Sequence, residues 1–348
     1  MLTRIPIANL YYILCYAWNR LEDDELVDAR ELAGQDTVNL LAQLLAAAVA
    51  QALRRGLNRD YQARTGEIHG IRGRLLFAQS KRRLLFEHGC AACEFDEIDH
   101  NNLPNRIVRA TLENLRDAES LEERSREAVM SVLRQFRGID SLDLHPGLFR
   151  RVRLHRSNAH YGMLLSICEL AYNSMLPEPG EGPHRFRSFV EDHELMAAIY
   201  QDFVHNFYAA HAEECGYSSI SAPIVQWAAR PRDDASRAML PVMRTDVVLT
   251  GPERRIIIDC KFYHDAFTRR FQADKLISTH LYQIFSYVKN QQAVSGWENC
   301  EGLLLYPTVD ADLRADYDMA GSRIRAATVD LSVPWTAIRS RLIELVAV

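Results

Sequence analysis

The 348-residue chain has no run of about twenty apolar residues, so nothing in it reads as a membrane span. Its first apolar stretch is broken by Pro6, Asn9 and Trp18-Asn19 and lacks a small-residue cleavage site, which argues against a secretory signal peptide. No glycine-rich phosphate-binding fingerprint is present, so any nucleotide-driven motor the function needs must be another protein. Positive charge is not in excess either. The formal net charge is −5, which excludes a global field for nucleic acid and leaves local patches or a partner's surface for such contacts. Cysteine is sparse and unpatterned, at positions 15, 90, 93, 168, 215, 260 and 300. The odd number and the apolar settings point to reduced thiols in a cytoplasmic protein. Cys90 and Cys93 form a lone CxxC. A zinc site would need a second pair or two histidines at suitable spacing, and none is evident. There is no internal repeat and no low-complexity tract.

What is present is ordinary for a globular chain, with 48% hydrophobic and 25% charged residues and length enough for two domains with separate cores. The segment Pro177-Glu178-Pro179-Gly180-Glu181-Gly182-Pro183 cannot continue a helix, because proline removes amide donors, and it marks the expected boundary. Residues 1–180 read as an α+β domain of helices with small β elements. A buried helix follows Asn9, which suits an N-cap, and runs through Tyr12, Cys15 and Tyr16. Further helices are expected at 38–55, 103–118, 121–136 and 159–176. Between them, 60–77 reads as short strands and tight turns with a basic tip at Arg72 and Arg74, and Lys81-Arg82-Arg83 is a second basic run. Each suits a partner or phosphate contact, and equally a solvated surface. Residues 184–348 read as helix 191–214, strands near 218–228, 241–250 and 255–263, helix 275–290, strand 302–306, a last strand near 324–331 and helix 334–346.

Within the second half, Pro241–Thr250 and Arg255–Tyr263 form a β-branched hairpin around Gly251-Pro252. Strand alternation puts Ile257, Asp259 and Lys261 on one face and Ile256, Ile258, Cys260 and Phe262 on the other. Charges in so apolar a strand are costly unless paired or metal-bound. Asp246, on the preceding strand, can lie near them. Two carboxylates and a lysine at one strand end suit a hard divalent cation. A structural Asp–Lys pair is the alternative reading of the same residues.

This arrangement resembles the PD-(D/E)XK nuclease core, with Thr245-Asp246 in place of the leading Pro-Asp and Asp259-Cys260-Lys261 as the second element. The order helix, three strands, helix, strand is that of the same core. Along nearly the whole chain, a set of short strings is similar to the McrC family. They begin with Ile5–Asn19, Gly70-Ile71-Arg72-Gly73-Arg74 and Asn105-Arg106-Ile107-Val108. They continue through His184-Arg185-Phe186 with Phe189, Thr245-Asp246, Asp259–Tyr263, Leu281-Tyr282-Gln283 and Leu304-Leu305-Tyr306-Pro307.

The resemblance implies an α/β PD-(D/E)XK restriction-endonuclease-like domain with a central mixed sheet at 184–348, behind a partner-binding, GTPase-activating domain at 1–180. It implies the DNA-cleaving subunit of a methylcytosine-dependent restriction complex, docked on an McrB-like AAA+ GTPase hexamer and cutting double-stranded DNA that contains modified cytosine, with no membrane role. Mg²⁺ would be held by Asp246, Asp259 and the Cys260 backbone carbonyl. Lys261 would orient or deprotonate the attacking water or stabilise developing charge, and Gln283 would stand against Lys261. Glu194 is a further candidate for the metal shell. Tyr282 reads as packing, and His264 and His280 as surface or hydrogen-bonding histidines. Arg269, Arg270 and Lys275 read as phosphate contacts or a solvated loop. The rival class is a non-catalytic activator of the GTPase with a nuclease-like scaffold. A third, a zinc-binding regulator built on Cys90 and Cys93, predicts stoichiometric metal in the purified chain.

Overall fold

The computed structural model describes residues 5–19, 35–156, 158–176, 184–262, 276–309 and 312–347. The expected boundary at 177–183, together with Tyr263, His264, Arg269, Arg270 and Lys275, lies outside the described residues. Two compact units emerge, Leu41–Phe186 and a second one made of Met1–Leu40 with Arg187–Val348. The sequence boundary of 1–180 against 184–348 therefore differs at the amino-terminal end, where the described residues up to Leu40 group with the later unit. The reason lies in the first helix, α1 (Ile7–Ala17). Its aromatic surface is buried within that later unit. Tyr12 stacks on Trp335 at 4.8 Å, and Tyr16 meets Phe203 edge-on at 5.9 Å. Asn9 is not the helix cap. It sits inside the helix, and its side-chain amide donates to the carbonyls of Leu331 and Val333, each at 2.8 Å.

In the unit Leu41–Phe186, α2 (Thr37–Arg55) ends as expected on Arg54 and Arg55 at its negative end, followed by Gly56 at φ +91°. By length and composition alone α2 could cross a membrane, contrary to the sequence reading. However, 67% of its apolar window is buried inside the protein, the signature of a core helix. A three-stranded antiparallel sheet follows in the order β1 (Asp60–His69), β3 (Cys90–Asp99), β2 (Arg74–Leu75). The helix α3 (Phe77–Arg82) lies between β2 and β3. The sequence expectation of short segments is corrected here, since β1 runs ten residues straight through Gly66. Gly73, at φ +70°, has no room for a Cβ against the Glu94 carbonyl and Phe95, which fixes that turn.

Helices α4 (Leu103–Arg116), α5 (Glu123–Leu133), the short α6 (Pro146–Arg151) and α7 (Tyr161–Ser174) complete the unit. The Asn105 string has a structural role. The Asn105 amide donates to the carbonyls of Asn58 and His100 at 2.9 and 2.7 Å, while its oxygen accepts from the Tyr161 hydroxyl at 2.5 Å. One buried side chain thus ties the start of α4 to α7 and to the end of the sheet where Asp60 pairs with Asp99.

The second unit is built on a six-stranded mixed sheet. Its strands are β4 (Ser219–Ser221), β7 (Val247–Thr250), β8 (Arg255–Cys260), β9 (Cys300–Thr308), β10 (Arg314–Met319) and β11 (Ser322–Asp330). The order across the sheet is β10-β11-β9-β8-β7-β4. β8, β9 and β11 are parallel and the outer pairings are antiparallel. The parallel centre is apolar on both faces because helices cover both. On one side lie α8 (His193–Ala210) and the last helix, Trp335–Val346, tied by the Tyr208 hydroxyl donating to the Leu342 carbonyl at 2.9 Å. Asp192 caps α8 by accepting from the Leu195 amide at 3.0 Å.

On the other side lies the helix Ser278–Gln292, whose Ile284 and Val288 join Ile257, Leu304 and Ile324 in one core cluster. Its approach requires Gly302, where an added Cβ would come within 2.7 Å of Ile284 and 2.9 Å of Ile324. A separate two-stranded ribbon, β5 (Ile224–Val225) and β6 (Met243–Arg244), packs against the same helix. Between its strands lies the short α9 (Asp234–Ala238). In chain order the two remaining helices are α10 (Ser278–Gln292) and α11 (Trp335–Val346).

Candidate active site

The hairpin forms where the alternation predicts it. β7 and β8 are antiparallel with Val247 opposite Ile258, and the Gly251 amide closes the turn on the Arg254 carbonyl at 2.9 Å. Carried one step beyond its last pair, the register sets Asp246 opposite Asp259. Thr245, which stands where the resembled motif has proline, is buried and donates its hydroxyl to the Pro223 carbonyl at 2.9 Å, which fixes the approach to Asp246.

Asp246 is half-buried, and its Oδ2 accepts from the Cys260 amide at 2.7 Å. A strand residue projects its amide and carbonyl to the same side, so the Cys260 carbonyl also faces the Asp246 strand. Asp259 is almost fully enclosed, at 1% exposure. Lys261, anchored through its amide to the Leu305 carbonyl at 2.9 Å, brings Nζ to 2.7 Å from Asp259 Oδ2. Oδ2 is buried with this one ion pair and no other polar partner among the described residues. Nζ also donates to Gln283 Oε1 at 2.9 Å, and Gln283 Nε2 donates to the Tyr287 hydroxyl at 2.8 Å. Behind Lys261, Phe262 packs between His193 and Tyr200 at ring distances of 5.8 and 6.0 Å.

Burial is the largest influence on both acids. It pushes the Asp259 carboxyl up to about 6, against the pull of the Lys261 ammonium and with a further push from Asp246. Asp246 is raised as well, again through burial, with the Cys260 amide and Lys261 opposing. Two carboxylates held against their own charge, with a single ammonium to share, favour an added cation. The donor set is hard oxygen, which fits magnesium rather than zinc or copper. Among the described residues no group of three or more His, Cys, Asp or Glu side chains could hold a metal, so a cation here would keep part of its water shell.

The structure therefore brings Asp246, Asp259, Cys260, Lys261 and Gln283 together. Glu194 makes no hydrogen bond or ion pair with them among the described residues. That residue is exposed in the first turn of α8, and the charged groups acting on Asp259 are Lys261 and Asp246. Tyr282, expected to pack, is 70% exposed instead. His280 is a buried hydrogen-bonding residue, its Nδ1 3.1 Å from the Tyr306 hydroxyl. Tyr287, which steadies Gln283, was missed, although its spacing of four from Gln283 on a helix was readable. Cys90 and Cys93 stand three apart in β3, and successive side chains of a strand alternate faces, so the two cannot chelate one ion.

Residues 8–307 match the model of a family described as McrBC 5-methylcytosine restriction system component. The chain belongs to this family. The type IV methyl-directed restriction enzyme EcoKMcrBC of Escherichia coli K12 is 32% identical over 341 residues, which cover 98% of this chain and 97% of that protein. A solved assembly of Thermococcus gammatolerans McrB AAA+ hexamers with bound McrC contains a chain of the same fold. It matches at a TM-score of 0.57 and 17% identity, over 97% of this chain and 76% of that one.

Proposed function

We propose that this chain is the DNA-cleaving subunit of a restriction complex directed at methylated cytosine, docked on an AAA+ GTPase hexamer related to McrB. The observation that carries the nuclease reading is the convergence at the end of β8. Asp246, Asp259, Lys261 and Gln283 meet there, two acids sharing one ammonium. Family membership, the name of the Escherichia coli relative and the McrB-bound assembly support the substrate class and the partner. The strand and helix order around the hairpin supports a PD-(D/E)XK core, and free cysteines throughout support action in the cytoplasm.

Asp246, Asp259 and the Cys260 carbonyl would hold Mg²⁺. When bound, the ion supplies Lewis-acid polarisation of the phosphoryl oxygen and a more acidic water. Gln283 holds the Lys261 ammonium at the carboxylates, where it donates to the attacking water or to the oxygen on which negative charge builds. The apolar strands around the site keep bulk water from screening these charges.

The test is cleavage of a methylated duplex by the assembled complex with GTP and Mg²⁺. Asp259→Ala should reduce cutting to background while GTP hydrolysis by the partner is still stimulated. Cutting at the wild-type rate by that variant would overturn the site assignment. A wild-type chain that stimulates the GTPase and never cuts would favour the scaffold alternative.

A further inference from the structure

Many of the described arginines of the second unit are already engaged. Arg254, Arg314, Arg323, Arg325, Arg339 and Arg341 all sit in ion pairs. The ribbon between β4 and Asp246 is different. Residues 224–244 hold Arg230, Arg232, Arg237 and Arg244 against only Asp233 and Asp234, a local excess of positive charge in a chain of net −5. All four arginines are exposed, and among the described residues none is held in an ion pair or a side-chain hydrogen bond. One of the two aspartates is occupied, since Asp233 accepts from the Ser236 amide at 2.6 Å to cap α9.

The ribbon is also firmly based. Val225 and Met243 lie in the core with Ile284 and Val288 of α10. Trp227 Nε1 donates across the ribbon to the Pro241 carbonyl at 2.6 Å, and the Ala228 amide donates to Asn290 Oδ1 at 2.7 Å. Beyond that base the tip shows apolar side chains to solvent, Met239 at 81% and Val242 at 62% exposure. The strand that returns from the tip reaches Asp246 two residues after Arg244.

We infer that the ribbon 224–244 is a clamp for the DNA backbone beside the cutting site. Free guanidiniums on a rigid stem that enters the site fit phosphates flanking the scissile one, and the apolar tip suits the walls of a groove. The inference rests on the nuclease reading, because the stem leads to the proposed site. A protein partner would be expected to offer acids to these arginines, and is an outcome of the test.

The experiment is fluorescence anisotropy of a labelled duplex of about 30 base pairs with the full-length chain in EDTA, from about 50 mM to 200 mM salt. The double variant Arg232→Ala with Arg237→Ala should weaken binding about tenfold or more and lower the salt slope by about two, one for each phosphate no longer neutralised. Lysine at both positions should recover most of the affinity. Arg323→Ala, which removes an ion-paired arginine of β11, should leave affinity and slope unchanged. Wild-type affinity and slope in the double variant would overturn the clamp, as would no duplex binding by the wild-type chain at the lowest salt. Loss of GTPase stimulation with intact DNA affinity would reassign the ribbon to the protein partner. Because binding is read without metal, the two readings fail separately. If Asp259→Ala still cuts while the arginine variant loses DNA, the clamp stands and the catalytic assignment falls.

Discussion

The two ends of β8 carry charge in opposite ways. At its start, Arg254 grips Glu301 with two nitrogens, Nε at 2.5 Å and Nη2 at 3.2 Å, and the hydrogen bond raises the arginine above its ordinary range. Arg323 and Arg325 approach the same Glu301 at 3.5 Å, and Asp316 takes the other side of Arg323. At its finish, Asp259 faces another acid and has one lysine, which also donates to Gln283. In the first cluster the partners favour the charged forms of Arg254, Arg323 and Asp316, while burial opposes that of Arg325, whose Nε and Nη2 lack hydrogen bonds. The second holds an acid against its charge. The first sets three cations around one acid and the second two acids around one cation, so only the second stands to gain from an added cation. The same strand serves structure at one end and chemistry at the other.

Removing the acid at the structural end should have the largest effect on stability. Glu301→Ala leaves Arg254 and Arg325 enclosed without their partner and should destabilise the fold by about 3 kcal/mol, read by urea denaturation. Cleavage per folded molecule should be unchanged. A loss of specific activity at full stability would break the comparison. One residue further, Gly302→Ala drives a Cβ into Ile284 and Val288 of α10, the helix that carries Gln283. Overpacking of this kind costs about 2 kcal/mol. Unlike Glu301→Ala, it should also lower cleavage per folded molecule, measured under the same conditions.

The smallest effect is one of pH. In the native state the Asp259 carboxyl is raised from 3.8 to about 6, so the folded chain binds this proton more tightly than the unfolded one. Its stabilising contribution is complete below about 3.8 and is lost as pH rises through about 6. In EDTA, Asp259→Asn should therefore gain stability relative to wild type between pH 4 and pH 7, read by urea denaturation at each pH. A difference that shrinks over that window would contradict the raised carboxyl.

The hairpin with Asp246, Asp259 and Lys261 was legible because two-residue alternation and β-branched residues both mark strands, and charges in such a run stand out. α8, α10 and α11 were legible from their apolar periodicity, as was the strand Cys300–Thr308 from its apolar run. The strand β10 was not. Arg314–Met319 is a polar, largely exposed edge strand with no apolar alternation to betray it. The cap assigned to Asn9 failed because its partners lie more than 300 residues away, at Leu331 and Val333, and local patterning cannot see them. The extent of the units failed for the same reason, since the aromatic face of α1 reveals burial but not its partner. The free arginines of 224–244 were equally hidden, because whether a guanidinium is paired is decided by tertiary neighbours. The sequence reading covers only the two ends of that stretch, with strands near 218–228 and 241–250, which the structure divides into β4 and β5 and into β6 and β7.

The most direct measurement is anomalous diffraction from crystals of the full-length chain soaked in Mn²⁺, a scattering substitute for Mg²⁺. The account predicts a manganese peak between the carboxylates of Asp246 and Asp259, bordered by the Cys260 carbonyl and absent from Asp259→Ala crystals soaked in parallel. A peak elsewhere in the chain, or none at these carboxylates under saturating manganese, would contradict it.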